Sequence, residues 1–303
     1  MADYIIQKAV NADAVKKKLQ LSMEDYAQHF EAQHKYDGCC SVITLNPDGT
    51  TLCQSRTGEV YPSMHMVAVD LQAALYSLVR GTTGIVLIGE AWWPGKDQFS
   101  EISGEFRRMQ PSKRLQFVIN DVLWLGEFEA GHSDVPYNTR MMRLSDEKLP
   151  ERASIATRYP PGSYGPPQAL CNELVEMGGF DGLILRDPDG LWERGRGTTG
   201  EIVKIKRVLS FDLRVVGMEE GKGKHAGRMG AIQVDFVGKT LSVGTGFRDD
   251  EREDWWREQG GDFSVIGRIA EIEAMDYSSE GLLREPRFKG IRFDKTVPDI
   301  IAA

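Results

Sequence analysis

The chain has 303 residues, a formal net charge of −8 and 41 % apolar residues. That length and apolar content support a packed core in one large domain or two ordinary ones, and they exclude global disorder. The acidic balance excludes broad, tight, non-specific nucleic-acid binding, although it leaves room for a local basic face such as Lys204, Lys206, Arg207, Lys222, Lys224 and Arg228.

In chain order, Ala9 to Leu19 has the apolar spacing of a helix, and Ser22 with Asp25 reads as a helix start, giving a short helix over 22–31. Strand signals begin after Lys35: Cys39 to Leu45 is β-prone, Asn46-Pro47-Asp48-Gly49 is a turn, and Thr50 to Ser55 returns. The lysine is therefore expected just before a hairpin. Asp70 to Val79 reads as an amphipathic helix, Ile85 to Gly89 as a buried strand ended by Glu90, and Leu115 to Leu125 as another apolar strand. Residues 126–167, rich in Gly, Pro and charge, are expected to be loop. Pro167 to Met177 forms a helix closed by Gly178-Gly179, and strands follow at Phe180 to Arg186 and Ile202 to Lys206. A domain boundary is expected near Arg207, dividing the chain into 1–207 and 208–303. Beyond it, strands at 211–216, 231–237, 240–243, 265–275 and 290–293, with one helix at 249–259, suit a small β-barrel of the OB type.

No apolar run approaches the roughly 20 residues that span a bilayer, and Met1-Ala2-Asp3-Tyr4 opens no signal peptide. The four cysteines, Cys39, Cys40, Cys53 and Cys171, form no Cys-x-x-Cys pair, so a zinc ribbon or finger is excluded and free thiols in a reduced cytoplasm are expected.

Five short elements recur in a fixed order: Lys35-Tyr36-Asp37-Gly38, Ser55-Arg56-Thr57-Gly58, Leu87-Ile88-Gly89-Glu90, Phe180-Asp181-Gly182-Leu183 and Val203-Lys204-Ile205-Lys206. Each alone is as readily a solvated turn or strand end. Together they resemble the nucleotidyltransferase core of the ATP-dependent DNA ligases, in a compact form similar to those of bacteriophages and accessory bacterial repair systems. The resemblance implies an α+β architecture: a nucleotidyltransferase domain of ATP-grasp-like antiparallel sheets with helices, followed by a small β-barrel OB-fold domain. It implies a monomer in the cytoplasm of a bacterial cell or phage-infected host, acting on nicked duplex DNA with ATP and Mg2+ and no membrane. With only 34 residues before Lys35, no separate DNA-binding domain is expected ahead of it.

A lysine attacks phosphorus only when neutral, against an ordinary pKa of about 10.4. Neighbouring cations penalise a second positive charge. Lys204 and Lys206 alternate along one strand and so share a face; if it lines the pocket, they hold the triphosphate and help deprotonate Lys35. By resemblance, Lys35 becomes adenylylated, and His34 offers its backbone carbonyl to the base. Asp37 lies near the sugar and metal, and Gly38 serves a tight turn or close backbone approach. Arg56 suits phosphate, ribose or DNA oxygens, and Glu90 and Asp181 are the expected metal ligands. Arg292 and Lys295, in Arg292-Phe293-Asp294-Lys295, are the positions that would meet the β- and γ-phosphates, and Lys222 and Lys224 would touch the DNA backbone. Three positions depart from the family pattern: Cys40 stands in place of an arginine, Asp181 of a glutamate, and Asn120 of the aromatic residue that stacks on the purine. Two other readings remain open at this point: an RNA ligase or mRNA-capping guanylyltransferase, and a non-catalytic nucleic-acid-binding relative.

Overall fold

The computed structural model describes all residues except 1–2, 13–21, 96–98, 196–199, 260, 262–263, 278–280 and 301–303. The chain folds as two compact units, Met1–Lys206 and Arg207–Ala303. Among the described residues no helix is long and apolar enough to cross a membrane.

The first unit runs β1 (Val10–Asn11), α1 (Met23–His29), β2 (Glu31–Tyr36), β3 (Cys39–Leu45), β4 (Thr51–Ser55), α2 (His65–Ala74), α3 (Tyr76–Arg80), β5 (Ile85–Trp92) and α4 (Phe99–Phe106). It continues with β6 (Gln116–Trp124), α5 (Leu125–Ala130), β7 (His132–Ser133), α6 (Tyr137–Met142), β8 (Ala153–Ile155), β9 (Arg158–Tyr159), α7 (Pro167–Met177), β10 (Phe180–Arg186), β11 (Trp192–Glu193) and β12 (Ile202–Ile205). Two five-stranded sheets form, in the orders β1-β12-β10-β2-β9 and β4-β3-β5-β6-β8. Within them only β1–β12 and β6–β8 are parallel.

The first sheet buries one face against α1 and α7, where Tyr26, Phe30, Cys171 and Leu174 meet Leu183, Leu185, Val203 and Ile205. The second sheet is covered on both faces. Ile43, Leu87, Phe117 and Ile119 pack against α2 and α4, while Val42, Val86, Ile88 and Leu123 pack on Phe128 and Trp192. Double coverage is why β5 begins as an unbroken apolar run rather than an alternating one. Local signals set the helix ends: Ser22 and Asp25 form a reciprocal capping box on α1, and α7 starts at a proline and ends at Gly178, which has φ 82°.

Several expectations are corrected. Val10–Asn11 is a strand on the edge of the first sheet rather than the start of a helix; residues 13–19 lie outside the described residues. Lys35 sits inside β2, not ahead of the first strand. Glu31-Ala-Gln-His-Lys-Tyr carries no β-branched residue, so pairing with β10 and β9, not propensity, makes it a strand. The helix expected over 70–79 begins at His65 and breaks at Leu75. Residues 126–167 hold helices α5 and α6 and three short strands, because Phe128, Tyr137, Arg140 and Met141 are buried among partners distant in sequence.

The second unit runs β13 (Leu209–Glu220), β14 (Met229–Phe236), β15 (Lys239–Val243), α8 (Asp249–Arg257), β16 (Ile269–Ala274), β17 (Asp276–Tyr277), β18 (Leu283–Arg284) and β19 (Arg287–Ile291). Its main sheet is antiparallel in the order β15-β14-β13-β16-β19. A single bridge, Thr245 to Arg287, joins the two edges, so the sheet curls into a partly open barrel. Leu213, Ile232, Val243, Ile272 and Phe288 fill it. Arg252 fastens α8 by donating to the carbonyls of Met229, Gly230 and Gly244. Lys222 and Lys224 are exposed on the β13–β14 connection, which forms a 3-10 turn over Gly223–His225.

Candidate active site

Lys35 and Asp181 are brought together by an irregularity in the β2–β10 ladder. Tyr36 pairs with Phe180 and Lys35 with Gly182, so Asp181 is the extra residue of a β-bulge. Bulges re-aim side chains at the cost of one unpaired residue. Here the carboxylate of Asp181 accepts a short hydrogen bond from Lys35 Nζ, and the same oxygen lies 3.1 Å from Lys206 Nζ. Gly182 is obligatory: its φ is +138°, and a Cβ there would lie 2.2 Å from the Ile205 carbonyl. Burial works to raise the pKa of Asp181, but its ion pairs with Lys35 and Lys206 outweigh it and hold the carboxyl below its ordinary range. Lys204 and Lys206 are both half-buried, and burial, Lys206 and Lys35 depress the pKa of Lys204. Asp181, expected from the sequence to be a metal ligand, is hydrogen-bonded to Lys35 in this structure.

Glu90 reaches this cluster from the other sheet. It pairs with Cys40 across β3–β5 and with Val118 across β5–β6. Burial pushes its carboxyl up to about 8; Lys35 and Arg56 pull against that, and Asp37 and Asp181 add to it. Lys35, Asp37, Arg56 and Asp181 are thus the charges that act on this one glutamate. Gly38 makes this approach possible, since a Cβ there would lie 2.4 Å from the Ala91 carbonyl and 2.7 Å from Glu90 Cγ. Arg56 is exposed on the turn after β4, 5.3 Å from the Tyr4 ring centroid, a neighbour that the sequence did not suggest.

His34, expected to offer its backbone carbonyl, and Asn120, which stands in place of the stacking aromatic, have these surroundings. The His34 ring is turned to the opposite face of β2 from Lys35. There it stacks edge-on with Phe180 at 4.3 Å and meets the Tyr159 hydroxyl at 3.0 Å. Burial lowers its pKa, so a neutral ring suits the site. Asn120 is the extra residue of a second bulge, between Ile119 and Asp121 opposite Gly89 and Ile88. A Cβ on Gly89 would meet the Phe117 ring at 2.8 Å and the Val118 carbonyl at 2.2 Å, so the bulge is built around that glycine.

Among the described residues no three His, Cys, Asp or Glu side chains are close enough to cage a metal. Asp37 and Asp181 instead act on Glu90 as separate carboxylates. Such a donor set fits magnesium, which keeps waters and takes phosphate oxygens beside one or two carboxylates. It does not fit a dedicated all-protein site.

In the second unit, Arg292 and Lys295 are both engaged by Asp212, which is 4 % exposed. Arg292 Nη1 donates to Asp212 at 2.9 Å, its other nitrogens grip Asp294 at 2.9 and 2.7 Å, and Lys295 forms a short ion pair with Asp212. Asp294, hydrogen-bonded to Arg292, drops to about 2. Nothing in the spacing of the sequence pointed to Asp212.

A bulged strand pair presents one lysine to carboxylates and further lysines in the first unit, and the second unit is a partly open barrel. Residues 220–292 match the DNA ligase OB-like domain family. The chain is 27 % identical, over 88 % of its length, to the DNA ligase of Halorubrum lacusprofundi, of which it covers 50 %. It is 26 % identical, over 91 % of its length, to the multifunctional non-homologous end joining protein LigD of Mycolicibacterium smegmatis, covering 37 % of it. The chain thus spans half or less of these curated relatives. Among solved structures it superposes on Pmar-Lig_PreS3 with a TM-score of 0.67 and 23 % identity, covering 95 % of this chain and 68 % of that one. On the bacteriophage T7 ATP-dependent DNA ligase in complex with ATP the TM-score is 0.54 and the identity 21 %, covering 95 % and 98 %. The chain has the fold of the ATP-dependent DNA ligases and is related in sequence to the DNA ligases along most of its length.

Proposed function

We propose that this protein is an ATP-dependent DNA ligase that seals nicks in duplex DNA. The supporting observation is the convergence of Lys35, Asp181, Lys206 and Glu90 from two different sheets, on the fold of an enzyme class that includes a T7 ligase solved with ATP. In this reading Lys35 Nζ, once it has lost a proton, attacks the α-phosphorus of ATP. A nitrogen–phosphorus bond forms and the bond to the β-phosphate oxygen breaks, releasing pyrophosphate. The AMP then passes to the 5′-phosphate of the nick, freeing Lys35. The 3′-hydroxyl attacks that phosphate, and AMP leaves as the phosphodiester forms. Each step is an in-line displacement, so this chain contributes position and charge.

Lys206 shares the Asp181 oxygen with Lys35, so it keeps that carboxylate occupied when Lys35 releases its proton and turns to phosphorus. Lys204, on the same face, and Arg56 supply positive charge to phosphate oxygens. Glu90 and Asp181 would hold magnesium, which when bound neutralises phosphate charge. Arg292 and Lys295 serve the β- and γ-phosphates in the first step, exchanging Asp212 for phosphate. Arg56, Lys222 and Lys224 contact the DNA backbone.

The test is sealing of a singly nicked, 5′-phosphorylated duplex with ATP and magnesium, beside Lys35→Ala. Sealing by the wild type alone supports the reading. Covalent labelling by ATP without DNA sealing points to an RNA ligase, and labelling by GTP to a capping enzyme. No label at all would leave only a binding protein.

A further inference from the structure

Behind the candidate active site lies a set of buried charged and polar side chains that the reaction does not touch. Asp121 (β6), Arg140 (α6), Arg186 (β10), Tyr137 (α6), Gln33 and Glu31 (β2) are each at most 6 % exposed. Arg140 grips both oxygens of Asp121 at 2.9 and 2.8 Å, and Arg186 donates to Asp121 at 3.0 Å. Gln33 donates to Glu31 at 2.8 Å and to the Tyr137 hydroxyl at 2.5 Å. Arg186 lies 4.4 Å from the centre of the Tyr137 ring, closing the set.

Position gives this joint its meaning. Gln33 is two residues from Lys35 on the same face of β2, and Arg186 stands on β10 opposite Glu31. Asp121 pairs with Ile88, two residues from Glu90. The Arg186–Asp121 ion pair therefore ties the sheet that carries Lys35 and Asp181 to the sheet that carries Glu90. Its Glu90 side lies about 7 Å along the strand from that glutamate at 3.3 Å per residue. Buried ion pairs are poor sources of stability, because desolvation offsets their attraction. Here Arg186 also keeps a buried Nε with no hydrogen-bond partner. An apolar joint would hold two sheets at least as firmly; a charged one with directional bonds fixes their separation and register.

We propose that this joint positions Lys35: it sets the gap across which Lys35 and Asp181 face Glu90, and its members are positioning residues for nucleotide transfer. The inference rests on Lys35 being the nucleophile. Tyr137→Phe removes one hydroxyl without changing volume, and Gln33→Met removes its donor; both variants keep the buried charges. Since a misplacement of about 1 Å costs up to 100-fold, each variant should slow single-turnover formation of the enzyme–AMP adduct by about 10-fold. The ATP concentration at half-maximal rate should stay within about twofold, which separates positioning from loss of ligand binding. The double variant should be no slower than the worse single one, because the Tyr137 hydroxyl acts through a bond that Gln33→Met already removes. In parallel, Lys35 is mapped by mass spectrometry after timed pulses of an amine-acylating reagent at one fixed pH, without nucleotide. The Tyr137→Phe variant should shift the Lys35 time profile while leaving exposed Lys113 unchanged. Adduct formation at the wild-type rate, additive losses, or an unshifted Lys35 profile would overturn the proposal. If the wild type forms no adduct with ATP, the ligase reading fails separately, and the acylation profile still decides whether the joint positions Lys35.

Discussion

Glu90→Gln isolates the electrostatic cost of the site. In the folded chain the Glu90 carboxyl rises from an ordinary 4.5 to about 8, because it is buried near Asp37 and Asp181. A raised folded pKa means that its favourable contribution is complete below about pH 4.5 and is lost as pH climbs to about 8. Moving a carboxyl that far corresponds to roughly 5 kcal/mol as a ceiling, at 1.36 kcal/mol per pH unit. Glu90 is only partly buried by surface area, so solvent screening should leave about 1–2 kcal/mol. Glutamine keeps the shape and drops the charge. Thermal unfolding of Met1–Lys206 within the full chain, without metal, should therefore show Glu90→Gln more stable than wild type by about 3–6 °C at pH 8.5. The two should converge by pH 5. The same variant should lose nucleotide transfer, a stability gain at the expense of function. Parallel pH–stability curves for both proteins between pH 5 and 9 would refute the reasoning, since they would mean that Glu90 titrates as an ordinary exposed carboxyl.

Gly38→Ala places a methyl group 2.4 Å from a backbone carbonyl of β5, so it should lower stability by about 1–3 kcal/mol and sharply reduce adduct formation; chemical denaturation and nucleotide labelling read both. Arg292→Ala should slow adenylylation of the enzyme much more than sealing of DNA that is already adenylylated, and equal loss in the two assays would end the assignment of Arg292 to the triphosphate. Lys222→Ala with Lys224→Ala should weaken binding to duplexes of any sequence and reduce the salt slope by about 0.9 for each phosphate no longer neutralised; fluorescence anisotropy across a salt series measures it.

Much of the site was legible as ordered short elements. Lys35-x-Asp-Gly, Glu90 after an apolar strand and alternating Lys204 and Lys206 are local patterns, and local patterns survive in a sequence. The capping box at Ser22, the helix closed by Gly178 and the turn at Asn46–Gly49 were legible for the same reason: each rests on neighbours within four residues. Strand β2 was not, because its six residues include no β-branched one and gain their form only from β10 and β9.

By itself, then, the sequence determined which short elements make up the candidate site and roughly where strands and helices lie, through spacing and turn chemistry. The tertiary structure decided whom each residue faces. It placed Asp181 against Lys35 by a bulge that no local signal marks, turned the His34 ring away, engaged Arg292 and Lys295 with Asp212, and buried Asp121 with Arg140 and Arg186. Those partners lie between 19 and 146 residues apart. Such pairings depend on how sheets stack and where a ladder slips by one residue, which is a property of the whole packed chain and not of any short stretch of it.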